Sequence, residues 1–110
     1  MSDPTFANGK WTVPKDPDDI RFYKFGFGKD LADSNTTPHP TRPPIAICAG
    51  VSLATHPDGM ANLSVSGTDV IAYLGGLDLN AAAANFCTIR LFCANGEQID
   101  RTMWFAREDH

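Results

Sequence analysis

Phe86-Cys87-Thr88-Ile89-Arg90-Leu91-Phe92-Cys93-Ala94-Asn95-Gly96-Glu97-Gln98-Ile99-Asp100-Arg101-Thr102-Met103-Trp104-Phe105 is the stretch whose reading decides the fold. Two runs of strand length, rich in apolar and β-branched residues, flank Asn95-Gly96, a strong hairpin signal because both residues tolerate positive φ. Two registers compete. A two-residue loop would set Leu91 against Asp100 and Arg90 against Arg101, burying a carboxylate or opposing like charges. A three-residue loop, Ala94-Asn95-Gly96 with Gly96 left-handed, sets Cys93 opposite Glu97, Leu91 opposite Ile99 and Cys87 opposite Met103. It also brings Arg90 to Asp100 and Thr88 to Thr102. This second register is consistent at every level and is the expected one. In it Phe86, Phe92 and Trp104 point away from the face that carries Ile89, Leu91 and Met103, with Phe86 and Trp104 paired. A free antiparallel sheet carries polar residues on such a face. The aromatics are therefore either covered by the N-terminal arm or form an apolar patch for a partner.

The same alternation recurs upstream. Tyr23, Phe25 and Phe27 share one face of a first core strand that begins near Ile20. Ile45, Ile47, Ala49, Val51 and Leu53 alternate, as do Leu63 with Val65 and Val70 with Ala72 and Leu74. Turn residues at His56-Pro57-Asp58-Gly59, Gly67 and Gly75-Gly76 separate these runs at the spacing of a sandwich or barrel. Tyr23, Phe25, Ile47, Leu63, Val65, Leu91 and Met103 are expected in one core. Residues 33–44 hold prolines at 38, 40, 43 and 44 and must be a surface loop. Residues 77–85 lean towards helix and are either a single turn or a link between sheets. Residues 1–17 show no strand-long or helical periodicity, so they read as an extended arm that docks on its own domain or on a neighbour, with the sandwich in 18–110.

Composition bounds the function. At 110 residues, with 43% hydrophobic and 20% charged side chains, the chain is one globular domain. A net charge of -4 and a pI near 5.1 give no electrostatic reason to approach nucleic acid. No apolar run reaches transmembrane length, and no secretory signal pattern opens the chain, so no membrane partner and a cytoplasmic origin are expected. Cys48, Cys87 and Cys93 form no Cys-x-x-Cys pair. They read as reduced core thiols, and Cys87 lies too far along its strand from Cys93 to bond to it. His39, His56 and His110 have no metal-ligand spacing. Asp16, Asp18 and Asp19 lack the spacing of a calcium loop and read as a solvated turn. No nucleophile, metal set or phosphate-binding glycine loop emerges, so neither enzyme nor cofactor is expected.

Two stretches carry a resemblance. Lys15-Asp16-Pro17-Asp18-Asp19-Ile20, with Tyr23 beyond it, resembles the opening of small tailed-bacteriophage virion proteins described as fibre-tail adaptors. Ile71-Ala72-Tyr73-Leu74-Gly75-Gly76 is similar to that family's apolar strand ending in a glycine pair. Arg90-Leu91, Asn95-Gly96 and Asp100-Arg101-Thr102-Met103 follow the order of its last hairpin. The chain departs from the pattern at Phe27, where tryptophan is expected, and in its longer proline loop.

The resemblance implies an all-β fold, an immunoglobulin-like antiparallel sandwich of about seven strands with an extended N-terminal arm. It also implies a multi-copy structural role in the virion, linking tail and fibre proteins. Partners would then be other virion proteins and copies of the chain itself, through Phe6, Trp11, Phe86, Phe92 and Trp104. Head decoration, head-tail joining, or a carbohydrate- or receptor-binding sandwich are the alternatives. The last would need Trp104 as a platform flanked by Arg90 and Asp100.

Overall fold

The computed structural model describes residues 5–7, 10–79 and 84–107. Among these residues nine strands and one short helix follow one another as β1 (Thr5–Ala7), β2 (Lys10–Lys15), β3 (Arg21–Gly26), α1 (Gly28–Asp33), β4 (Ile45–Ala49), β5 (Ser52–Leu53), β6 (Leu63–Ser66), β7 (Asp69–Gly75), β8 (Phe86–Phe92) and β9 (Gln98–Arg107). They form a five-stranded sheet in the order β1-β2-β9-β8-β4. A four-stranded sheet has β7 paired with β3 on one side and with β5 and β6 on the other. The fold is an all-β sandwich, with two strands more than expected. Both extra strands, β1 and β2, come from the segment read as an arm.

Between the sheets lie Tyr23, Phe25, Val70, Ala72 and Leu74 from one side and Val13, Cys87, Ile89, Leu91 and Phe105 from the other. The rings of Tyr23 and Phe105 meet edge to face across the gap, with centroids 5.1 Å apart. Phe27, wholly buried, closes one end of the core and starts α1: its N–H donates to the Thr68 carbonyl and its own carbonyl accepts from Leu31. The helix carries one buried side chain, Leu31, and no side-chain N-cap, so no sequence signal announces it.

The terminal hairpin has the expected three-residue register. Cys93 N–H donates to the Glu97 carbonyl at 2.9 Å, Gly96 sits at φ 91°, and Arg90↔Asp100, Leu91↔Ile99 and Cys87↔Met103 are all opposite. Leu91 is buried, and Met103 packs partly buried against the core.

Two core assignments need correction. Ile47 is 41% exposed, and Ile45 two residues before it 42%, because β4 turns Ala46 and Cys48 towards the core instead. The alternation from Ile45 to Leu53 is not one strand. It is broken at Gly50, φ 74°, where the chain leaves the five-stranded sheet for β5 in the other, so Val51 is buried while both isoleucines face out. Val65 lies opposite the fully buried Val70, yet it is 41% exposed because β6 is an edge strand. Leu63 on the same strand does pack against the core.

The segment read as an arm docks on its own chain. β2 lies parallel to β9, with Thr12↔Trp104 and Val13↔Phe105, whereas the other strand pairings among the described residues are antiparallel. Val13 belongs to the core. Lys15 is 1% exposed, and its Nζ donates to the carbonyls of Asp16 and Asp19. Burial pushes the Lys15 pKa down, against the opposing pull of Asp19 and Asp16. The Lys15-Asp16-Pro17-Asp18-Asp19 motif is thus a self-contained turn, with the Asp16 carboxylate accepting from Asp18 N–H and Asp19 paired with Arg21 at 3.2 Å. Of residues 77–85, the described ones, 77–79 and 84–85, are not helical; the rest of that reading lies outside the described residues.

Candidate protein-binding face

The outer face of the five-stranded sheet is built from register rungs. Residues directly opposite one another share a face, so Ile45, Arg90 and Asp100 form one rung. Ile47, Thr88 and Thr102 form the next, and Ala49, Phe86, Trp104 and Thr12 a third. The hairpin register puts the aromatics outside, and the phase of β4 adds two isoleucines beside them.

The polar groups on this face are largely engaged with one another. Arg90 donates to both Asp100 oxygens, Nε at 2.9 Å and an Nη at 3.1 Å. The guanidinium holds the Asp100 carboxyl below the usual carboxylate range, and the carboxylate holds Arg90 above its own. The Thr88 and Thr102 hydroxyls share a hydrogen bond of 2.7 Å. What remains for contact is apolar. Ile45 and Ile47 are exposed, while Phe86 and Trp104 are half-buried with ring centroids 5.1 Å apart. Because the Arg90–Asp100 pair is solvent-facing, Asp100→Ala should barely move the melting temperature; a drop of several degrees would show that the pair holds the hairpin together.

The residues read as partner-binding do not share one environment. Phe86 and Trp104 are adjacent and partly accessible. Phe92 is only 9% exposed because the proline loop folds over it. Arg42 lays its guanidinium 3.8 Å above the ring, and His39 N–H donates to the Phe92 carbonyl. Phe6 and Trp11 are register partners on β1 and β2; the reading of their side chains as partner contacts lies outside the described residues. Ile45 and Ile47 were missed as surface residues. No local signal in the sequence marks them, because their outward direction follows from the pairing of β4 with β8, Ile45 with Arg90 and Ile47 with Thr88.

Elsewhere His39 and His56 act as turn braces, while His110 lies outside the described residues. His39 Nδ1 accepts from Thr41 and Arg42 N–H, and His56 Nδ1 accepts from Asp58 N–H. Among the described residues no group of three or more His, Cys, Asp or Glu could hold a metal ion. A cleft of about 340 Å³ opens beside Phe25, Gly26 and Met103, but the Arg101 at its wall is tied to the Gly26 carbonyl and to Asp30.

No family model, curated protein or solved structure matches this chain. The class that stands is an all-β sandwich with an apolar outer sheet face.

Proposed function

We propose that this chain is a non-enzymatic structural adaptor in a virion, a small sandwich present in several copies that links tail and fibre proteins, as the resemblance implies. The observation that supports it best is the outer sheet face. Ile45 and Ile47 stand exposed beside Phe86 and Trp104, with the intervening polar side chains engaged with one another. Such a face costs solubility in a free monomer and is useful when a neighbouring subunit covers it.

The test is the double variant Ile45→Ser/Ile47→Ser, compared with the unchanged chain for melting temperature and for incorporation into particles. Burying one such side chain contributes about 1.5–3 kcal/mol and each ~1.4 kcal/mol is tenfold in affinity, so incorporation should fall at least about tenfold. The melting temperature should hold, since these side chains are outside the core. Unchanged incorporation would remove this face from the assembly. Deleting residues 1–12 is a poorer test, because it takes Thr12 from its place beside Trp104 and damages the sheet as well.

A further inference from the structure

Cys48 and Cys87 stand directly opposite each other on β4 and β8, and their sulfurs are 3.0 Å apart. Both are free thiols turned towards the inter-sheet space: Cys87 is fully buried and Cys48 partly so. Residues facing each other across an antiparallel pair have Cα atoms roughly 4.5–5.5 Å apart, inside the span of about 4.4–6.8 Å that a disulfide bridges. The sulfurs need approach by only about 1 Å to reach the bond length of roughly 2.05 Å. Cys93, also buried, lies past the end of β8 opposite Glu97, six positions along the chain from Cys87, and has no such partner.

We propose that Cys48 and Cys87 are a built cross-strand modification site, closed to a disulfide by thiol–disulfide exchange with a small-molecule disulfide such as oxidised glutathione. The partly exposed Cys48 is the entry point. Its thiol is also the more acidic of the two, because the Cys87 thiol hydrogen-bonds to it, while that same bond and burial push Cys87 up. Cys48 thiolate attacks one sulfur of oxidised glutathione and expels a glutathione thiolate, leaving a mixed disulfide. Cys87 then gives up its proton to the departing thiolate and attacks the Cys48 sulfur, expelling the second glutathione. Two protein thiols are oxidised, one disulfide is reduced to two thiols, and no other electron acceptor is needed. The bond joins positions 39 residues apart and fastens β4, an edge strand whose neighbour in its sheet is β8, to the centre of the sandwich.

The test is to incubate the folded, reduced chain with oxidised glutathione and map cysteines by mass spectrometry after denaturing alkylation. The expected product has lost two hydrogens, carries a peptide linked between Cys48 and Cys87, and leaves Cys93 alkylated. Its melting temperature should rise, on the order of 10 °C, and return on reduction. Cys93→Ala should form the same bond, and Cys87→Ala should stop at a glutathione adduct on Cys48. A stable glutathione adduct on Cys48 in the unchanged chain, a link through Cys93, or three alkylated cysteines would each overturn the proposal. So would a 48–87 link that forms only in denaturant.

Discussion

Phe27→Ala should cost about 3–5 kcal/mol, the largest single-residue loss expected anywhere in this chain. The ring is wholly buried at the end of the core, where β3 gives way to α1. Removing it leaves a cavity that the surrounding backbone cannot easily collapse into, because Phe27 N–H is fixed to Thr68 and its carbonyl to Leu31 N–H. Phe22 on β3 supplies the control. It is 42% exposed on the opposite face, in tilted contact with Tyr73 with ring centroids 4.6 Å apart, and Phe22→Ala should cost only about 1 kcal/mol. Denaturant midpoints at constant slope would compare the two. Equal losses would mean that the core does not extend to the α1 end.

Gly50→Ala should be nearly as damaging, by a different route. The left-handed conformation alone costs an alanine about 1–2 kcal/mol. Here the added methyl would also overlap the Asn85 side-chain oxygen, and Asn85 cannot step aside freely because it is bonded to both the N–H and the carbonyl of Asp78. Gly96 separates the two effects. It too has positive φ, 91°, but nothing lies within 4 Å of the position a methyl would take. Gly96→Ala should therefore show the conformational cost alone, and Gly50→Ala clearly more. Adding Asn85→Ala to Gly50→Ala should recover part of the difference; if it recovers none, the overlap is not what matters.

How far these features were legible before the structure depends on whether local chemistry carried them. The hairpin register could be read because Gly96, the Arg90–Asp100 pair and the Leu91–Ile99 pair all reject the alternative by one residue. The direction of β4 could not be read from size and alternation alone, since Ile45 and Ile47 look more like core than Ala46 and Cys48 do. Their exposure follows from pairing with Arg90 and Thr88, a long-range fact. β2 was hidden for the same reason: Lys10-Trp11-Thr12-Val13-Pro14-Lys15 alternates weakly, includes a proline, and becomes a strand through β9. Lys15 shows the limit plainly. A lysine reads as solvated, and only the turn formed by Asp16 to Asp19 supplies the two carbonyls that let it be buried. Of the outer sheet face, Phe86 and Trp104 were legible from the hairpin alone. The isoleucines beside them, and the covering of Phe92 by Arg42, required the fold.

The parallel pairing of β2 with β9 bears on how the molecule would carry load. Tension applied to the chain before Lys10 and after Arg107 pulls two parallel neighbours in opposite senses along their length. The rungs from Thr12↔Trp104 to Lys15↔Arg107 would then be stretched in shear, all at once. A hairpin such as β8–β9, pulled at its open end, would instead unzip one rung at a time. Parallel ladder bonds are evenly spaced, so no rung is spared and none fails first by geometry. A domain threaded into a strained assembly by these two strands would resist extension as a clasp does, giving way only when the whole clasp slips.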